Sequence, residues 1–243
     1  MKFKQFVESF QTDRIKRQAA IDFFDKLQKW VKKNMKNMDK KAHRLDDFGG
    51  WAIDAGLVDP VHQGMAIILA SPESEYAKRS PMGMKVLASF GHFKNNFPAI
   101  FLFSLNGDFD VEHADTRLSG AKTNFVHEFI HYLDSLRMKS NQKSAQKLLK
   151  SVAAYYNSPE EFNAFYQEGV FEIYRLLGSN SMVPINKQKE LLGKSFEEFF
   201  SKISSFGFDE DFVESLDNKY MRKLKKRLSD VYADIRDWLQ EQE

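Results

Sequence analysis

His127 and His131 stand four residues apart with Glu128 between them, so that His127-Glu128-Phe129-Ile130-His131 spells H-E-x-x-H. On a helix, residues four apart lie about 40° from one another, and the two imidazoles share a face from which both can bind one metal ion. Glu128 falls roughly 100° further round, beside such an ion and not on it. A carboxylate placed there can take a proton from a water held by the metal. Two imidazoles, one base and one zinc ion per chain make up most of a peptide-hydrolysing centre.

A catalytic zinc normally has three protein ligands and a water. The chain has no cysteine, and no histidine follows His131. Asp134 and Arg137 occupy the positions where the longer H-E-x-x-H-x-x-G-x-x-H pattern requires glycine and histidine. A carboxylate on a second helix, about thirty residues downstream, is therefore the expected third ligand. Glu161 is the first choice. It also stands three residues after Ser158, where it would complete a capping box, and Glu160 is the neighbouring alternative. Glu168 and Glu172 follow on nearly the same helix face; Glu168 is placed to accept the second N–H of a ligating imidazole, with Asp134 as its rival for that task. Tyr155, Tyr156 and His113 are candidate donors to a developing oxyanion. Each also has a plainer reading, as a packing aromatic or a loop histidine.

The elements that must position these groups are legible from pattern. Phe125, Val126, Phe129, Ile130, Leu133 and Leu136 form one apolar arc at helical spacing, which predicts a helix from about 120 to 137, capped by Ser119 or Thr123. The two histidines and Asp134 fall outside that arc. Ser158-Pro159-Glu160-Glu161 opens another helix, to Leu177, and 141 to 156 is expected to be helical as well. Ala66–Ala70 and Ala99–Leu105 are short apolar runs that predict strands, with Met84–Phe90 a weaker one and Asn106-Gly107-Asp108 a turn. The strand 99–105 is either the edge along which a peptide lies or an ordinary buried strand. Residues 3 to 35 recur at helical intervals through Phe6, Phe10, Ile15, Ile21, Phe24, Leu27, Trp30 and Val31. Lys32 to Arg44 reads as a helix end and loop, Gly49-Gly50 and 178–184 as breaks, and 188–243 as helical with Gly207 interrupting it. The class is α+β, organised as an N-terminal helical region (1–60), a core (61–180) and a C-terminal helical region (181–243), expected to form one compact unit.

His127-Glu128-Phe129-Ile130-His131-Tyr132-Leu133-Asp134, followed by Tyr155-Tyr156-Asn157-Ser158-Pro159-Glu160-Glu161-Phe162-Asn163-Ala164-Phe165, resembles the gluzincin zinc metallopeptidases. Within them it is most similar to the catalytic domain of anthrax lethal factor and its relatives. Those carry an H-E-F-x-H-x-x-D run, a later E-F-x-A run that supplies the glutamate ligand, and a tyrosine shortly before it that stabilises the transition state. The resemblance spans roughly residues 95 to 175 and rests on the two motifs. It implies a zincin-like fold, zinc held by His127, His131 and Glu161, Glu128 as general base, and Tyr155 or Tyr156 as the tyrosine, here five or six residues before Glu161.

Composition narrows the remaining classes. The formal net charge of +2 gives no general pull towards nucleic acid or membrane. No leader-like apolar run follows Met1, and no stretch approaches the roughly 18 apolar residues of a membrane span, so a reducing cytoplasm is the default compartment. The 23 phenylalanines predict an aromatic core. The expected partner is a protein or peptide substrate. A scaffold of the same fold without turnover is the competing reading, since motif and fold do not guarantee activity. A nucleic-acid binder is the third. It rests on 13 Lys or Arg against 7 Asp or Glu in residues 1–50 and on the basic run Lys219–Arg227. Leu216, Tyr220, Leu224, Leu228 and Tyr232 make that run one side of an amphipathic helix.

Overall fold

Ala66-Ile67-Ile68-Leu69-Ala70 contains no polar side chain, and neither does Phe97–Phe103. Strands of that composition must be covered on both faces. In a computed structural model, which describes residues 3–48, 50–71, 88–93, 97–103, 118, 120–136, 152–179 and 181–242, these two runs are the centre of a five-stranded mixed sheet. The chain is α+β and divides into two units, Met1–Arg137 and Met138–Glu243.

The first unit opens with a long helix, α1 (Phe3–Asn34), then a short α2 (Met38–Lys41), β1 (His43–Leu45) and β2 (Gly50–Asp54). A single-turn α3 (Ala55–Val58) and a tight turn at Pro60–His62 lead into β3 (Ala66–Ala70). Then come β4 (Ala88–Phe93), β5 (Phe97–Phe103) and α4 (Lys122–Ser135). The sheet order is β1-β2-β3-β5-β4, with β3 and β5 parallel and every other pair antiparallel. One face, through Ile53, Ile67, Leu69, Ile100 and Leu102, packs in a core with Phe23, Phe24 and Leu27 of α1 and Phe125 and Phe129 of α4. The other face, through Ala66, Ile68, Ala70, Ala99, Phe101 and Phe103, is buried too.

Several expectations are corrected here. Lys32 to Arg44 is not simply a loop, because Met35 and Met38 are buried and hold a turn and α2 against the core. Gly50 is no break: it begins β2, and a Cβ there would stand 1.8 Å from the carbonyl oxygen of Leu69, so the strand pair closes only on glycine. Ile15 is 66% exposed and Leu136 63% exposed, so neither belongs to its helix's buried stripe; Phe23 and Tyr132 are buried instead. Thr123 lies inside α4, whose N-cap is Ala121 with no side-chain cap bond. β5 lies between β3 and β4, with both backbone edges paired, and offers none to a peptide; β4 is an edge strand among the described ones. Residues 84–87, the 106–108 turn, His113, Ser119, Arg137 and most of the helix expected at 141–156 lie outside the described residues.

The second unit comprises α5 (Val152–Tyr156), α6 (Pro159–Leu177), α7 (Ile185–Leu192), α8 (Phe196–Ser201), a turn at Ile203–Phe206, α9 (Glu210–Ser215) and α10 (Asn218–Gln240). Gly207 interrupts the series at φ +101°, as a left-handed helix cap that favours glycine. The expected aromatic core is here: Phe162, Tyr166, Phe199, Phe206, Phe208 and Phe212 are buried together. Along α10, Tyr220, Leu224, Leu228 and Tyr232 are buried with Val231, Ile235 and Leu239, which makes it the expected amphipathic helix.

Candidate metal centre

α4 forms because its apolar residues repeat at helical spacing against α1 and the sheet. Two ion pairs fix it on α1: Lys122 Nζ lies 2.6 Å from Asp25 Oδ1, and Lys16 pairs with Asp134. Lys16 is 8% exposed, an unusual place for a lysine, so this pair is held largely away from water. Asp134 therefore has a cation as its observed partner.

From this anchored helix, His127 and His131 turn their rings towards each other. Their Nε2 atoms are 3.1 Å apart and the ring centroids 4.9 Å apart. His127 is buried. At that distance only one of the two facing nitrogens can carry a proton, and the other must offer its lone pair. A cation held by both lone pairs is the other arrangement that satisfies the geometry. Two ligands of a tetrahedral zinc, each at 2.0–2.1 Å, stand about 3.3 Å apart, so the observed pair fits such an ion with little movement.

Glu128 leaves the same helix in another direction, as its position predicts. Its Oε2 accepts a hydrogen bond of 2.6 Å from the backbone N–H of Phe90 in β4. The carboxylate is thereby anchored to an edge strand of the sheet.

In the second unit, Glu161 lies in the first turn of α6. Ser158 caps that helix, its hydroxyl accepting from the Glu161 N–H at 3.3 Å. The reciprocal arm of a capping box would bring the Glu161 carboxylate to the Ser158 N–H. That N–H donates to the carbonyl of Tyr155 at 3.1 Å. Ser158 thus caps the helix, and the Oε2 of Glu161 is buried. Ala164 is fully buried, in keeping with its small size. Glu168 is half-buried further along α6, and Glu172 pairs with Arg175 at 2.6 Å.

The two tyrosines part company. Tyr156 is buried among Phe165 and Phe212, and its hydroxyl donates to Asp209 Oδ1 at 3.3 Å. Burial and the neighbouring Asp209 carboxylate push its pKa up to about 12. Tyr155 is half-buried, with its ring edge-on to Tyr156 and Phe165.

Three groups were not legible in the sequence: Lys16 and the Phe90 amide in the first unit and Asp209 in the second. They meet Asp134, Glu128 and Tyr156 across 118, 38 and 53 residues of chain. No local pattern encodes such pairings; Lys16 stands between Ile15 and Arg17 with nothing in its neighbours to mark it as the buried one. No protein-family model, curated protein or solved structure matches the chain.

Proposed function

We propose that the chain is a zinc-dependent metallopeptidase of gluzincin type on a zincin-like fold. His127, His131 and Glu161 would hold one zinc ion, Glu128 would act as general base, and the substrate is a protein or peptide. The observation that carries this reading is the histidine pair of α4, with Glu128 leaving the same helix beside it. Two imidazoles and a carboxylate suit zinc, and the 3.1 Å separation of the histidine nitrogens fits a tetrahedral edge. When bound, the zinc supplies Lewis acidity and lowers the pKa of water towards neutrality.

The remaining work belongs to the chain. Glu128 takes a proton on its carboxylate and returns it to the departing amine. Its bond to the Phe90 amide keeps that carboxylate in one place, so little reorganisation is needed at the moment of transfer. β4, as an edge strand, is the element along which an extended peptide can add main-chain hydrogen bonds. Tyr155 and Tyr156 are the candidate oxyanion donors, and the Tyr156 hydroxyl donates to Asp209.

Zinc per chain, measured by elemental analysis on wild type and Glu161→Ala purified side by side, tests the reading. About one zinc in the wild type and a small fraction of that in the variant is the expected result. Equal zinc in both removes Glu161 from the ligand set. A wild type that stays metal-free after zinc is supplied removes the metallopeptidase.

A further inference from the structure

The first half of α10 carries Lys219, Arg222, Lys223, Lys225, Lys226 and Arg227, and four of these lie over rings, Lys225 over Phe200 at 5.0 Å among them. Lys219, Lys223 and Arg227 follow each other at four-residue steps and form one stripe. Lys219 Nζ is 4.9 Å from the Tyr220 ring, and Lys223 Nζ is 4.7 Å from Phe162 and 5.7 Å from Tyr220. The Arg227 guanidinium lies 3.6 Å over Tyr166, and both of its terminal nitrogens are 3.4 Å from Asn163 Oδ1. The rings are buried and Lys219 and Lys223 are exposed, so aromatic faces hold the cationic heads in a row at the surface. Phe162, Asn163 and Tyr166 belong to the opening turns of α6, the turns that begin with Glu160 and Glu161.

We propose that this stripe docks an acidic segment of the peptide substrate; naming that segment a substrate rests on the metallopeptidase reading above. Successive cations are about 6 Å apart along the helix. Alternate side chains of an extended peptide are about 6.6 Å apart, so acids at every second position can meet the cations in register. A peptide suits the stripe better than a duplex does. The stripe is short: Asp217 precedes it, Asp230 and Asp234 follow it, and Lys219 to Arg227 span roughly 12 Å of helix. Nucleic-acid binding draws on a broader basic face that neutralises many phosphates.

The test is fluorescence anisotropy on the full chain at low salt with three labelled probes: a ten-residue Glu-Ser repeat, the matching Lys-Ser repeat and a twenty-base-pair DNA duplex. The Glu-Ser peptide is expected to bind saturably and the Lys-Ser peptide not at all. The exposed pair Lys219→Gln/Lys223→Gln should weaken Glu-Ser binding roughly fivefold, with an unchanged circular dichroism spectrum. Absence of Glu-Ser binding, or equal binding by the folded double variant, overturns the proposal, as does a duplex that binds more tightly through the same two lysines. The readout needs neither metal nor turnover. Docking by a chain that takes up no zinc keeps the surface and removes the peptidase; a zinc-loaded chain without docking does the reverse.

Discussion

His62 sits among rings: Phe23 at 5.0 Å, Phe129 at 5.1 Å and Tyr132 at 5.9 Å between centroids, two of them from the helix that bears the histidine pair. Burial holds its pKa below the usual histidine value; Asp59 works against this and Lys26 with it. The folded pKa therefore lies below the unfolded one, and between the two the unfolded chain binds a proton that the folded chain does not. Stability should be full above about pH 6.5 and fall as the pH drops through that window. Urea titrations from pH 8 to pH 5 check this, and His62→Phe should flatten that part of the profile. Lys16 gives a second prediction at this scale. Lys16→Met leaves Asp134 without its buried cation and should cost about 2–4 kcal/mol in urea unfolding. Lys16→Met/Asp134→Asn together should cost less than Lys16→Met alone; a larger loss in the double variant would remove the pair as the cause. The H-E-x-x-H groups could be read in the sequence because their geometry is set by four consecutive helical steps. The environments of His62 and Asp134 could not, because they depend on α1 packing against α4.

At the level of elements, α4 was legible from its helical apolar spacing though not its caps, α6 from the Ser158-Pro159-Glu160-Glu161 start, and β3 as a short apolar, partly β-branched run. β1 and β2 were missed, since a charged three-residue strand and a glycine-led one carry little β signal. Gly50 shows what replaced propensity there. Gly50→Ala would drive a methyl group into the backbone of β3, where no side chain can give way, and it should lower stability by several kcal/mol or prevent folding. Gly169 makes the milder case. Its Cβ would stand 2.4 Å from the Phe208 ring, so Gly169→Ala should destabilise by about 1–2 kcal/mol although alanine is the better helix former. Thermal unfolding of the two variants would rank them, and a stabilised Gly169→Ala would show that the ring moves freely.

For the whole molecule, the two units each bury their own core, with Leu27 fully buried in one and Leu228 in the other. Calorimetry is expected to show two transitions. Leu27→Ala should lower one and Leu228→Ala the other, each by about 2–5 kcal/mol. Zinc bound by the histidine pair of α4 should raise the transition of the first unit. No rise in that transition would remove the histidines as ligands.

The anchoring of Glu128 on Phe90 bears on how an inactive control protein should be made. The sheet ends in β1 and β4 among the described strands. β1 is guarded by its shortness and by exposed His43 and Arg44, whereas β4 is six residues long and has one of its amides occupied by a glutamate. Glu128→Ala would remove the proposed base and also uncover an amide able to recruit a strand from another chain. It should self-associate, visibly by light scattering, and its silence in an assay would have two causes. Glu128→Gln keeps an acceptor for Phe90, remains monodisperse, and isolates the loss of the proton carrier.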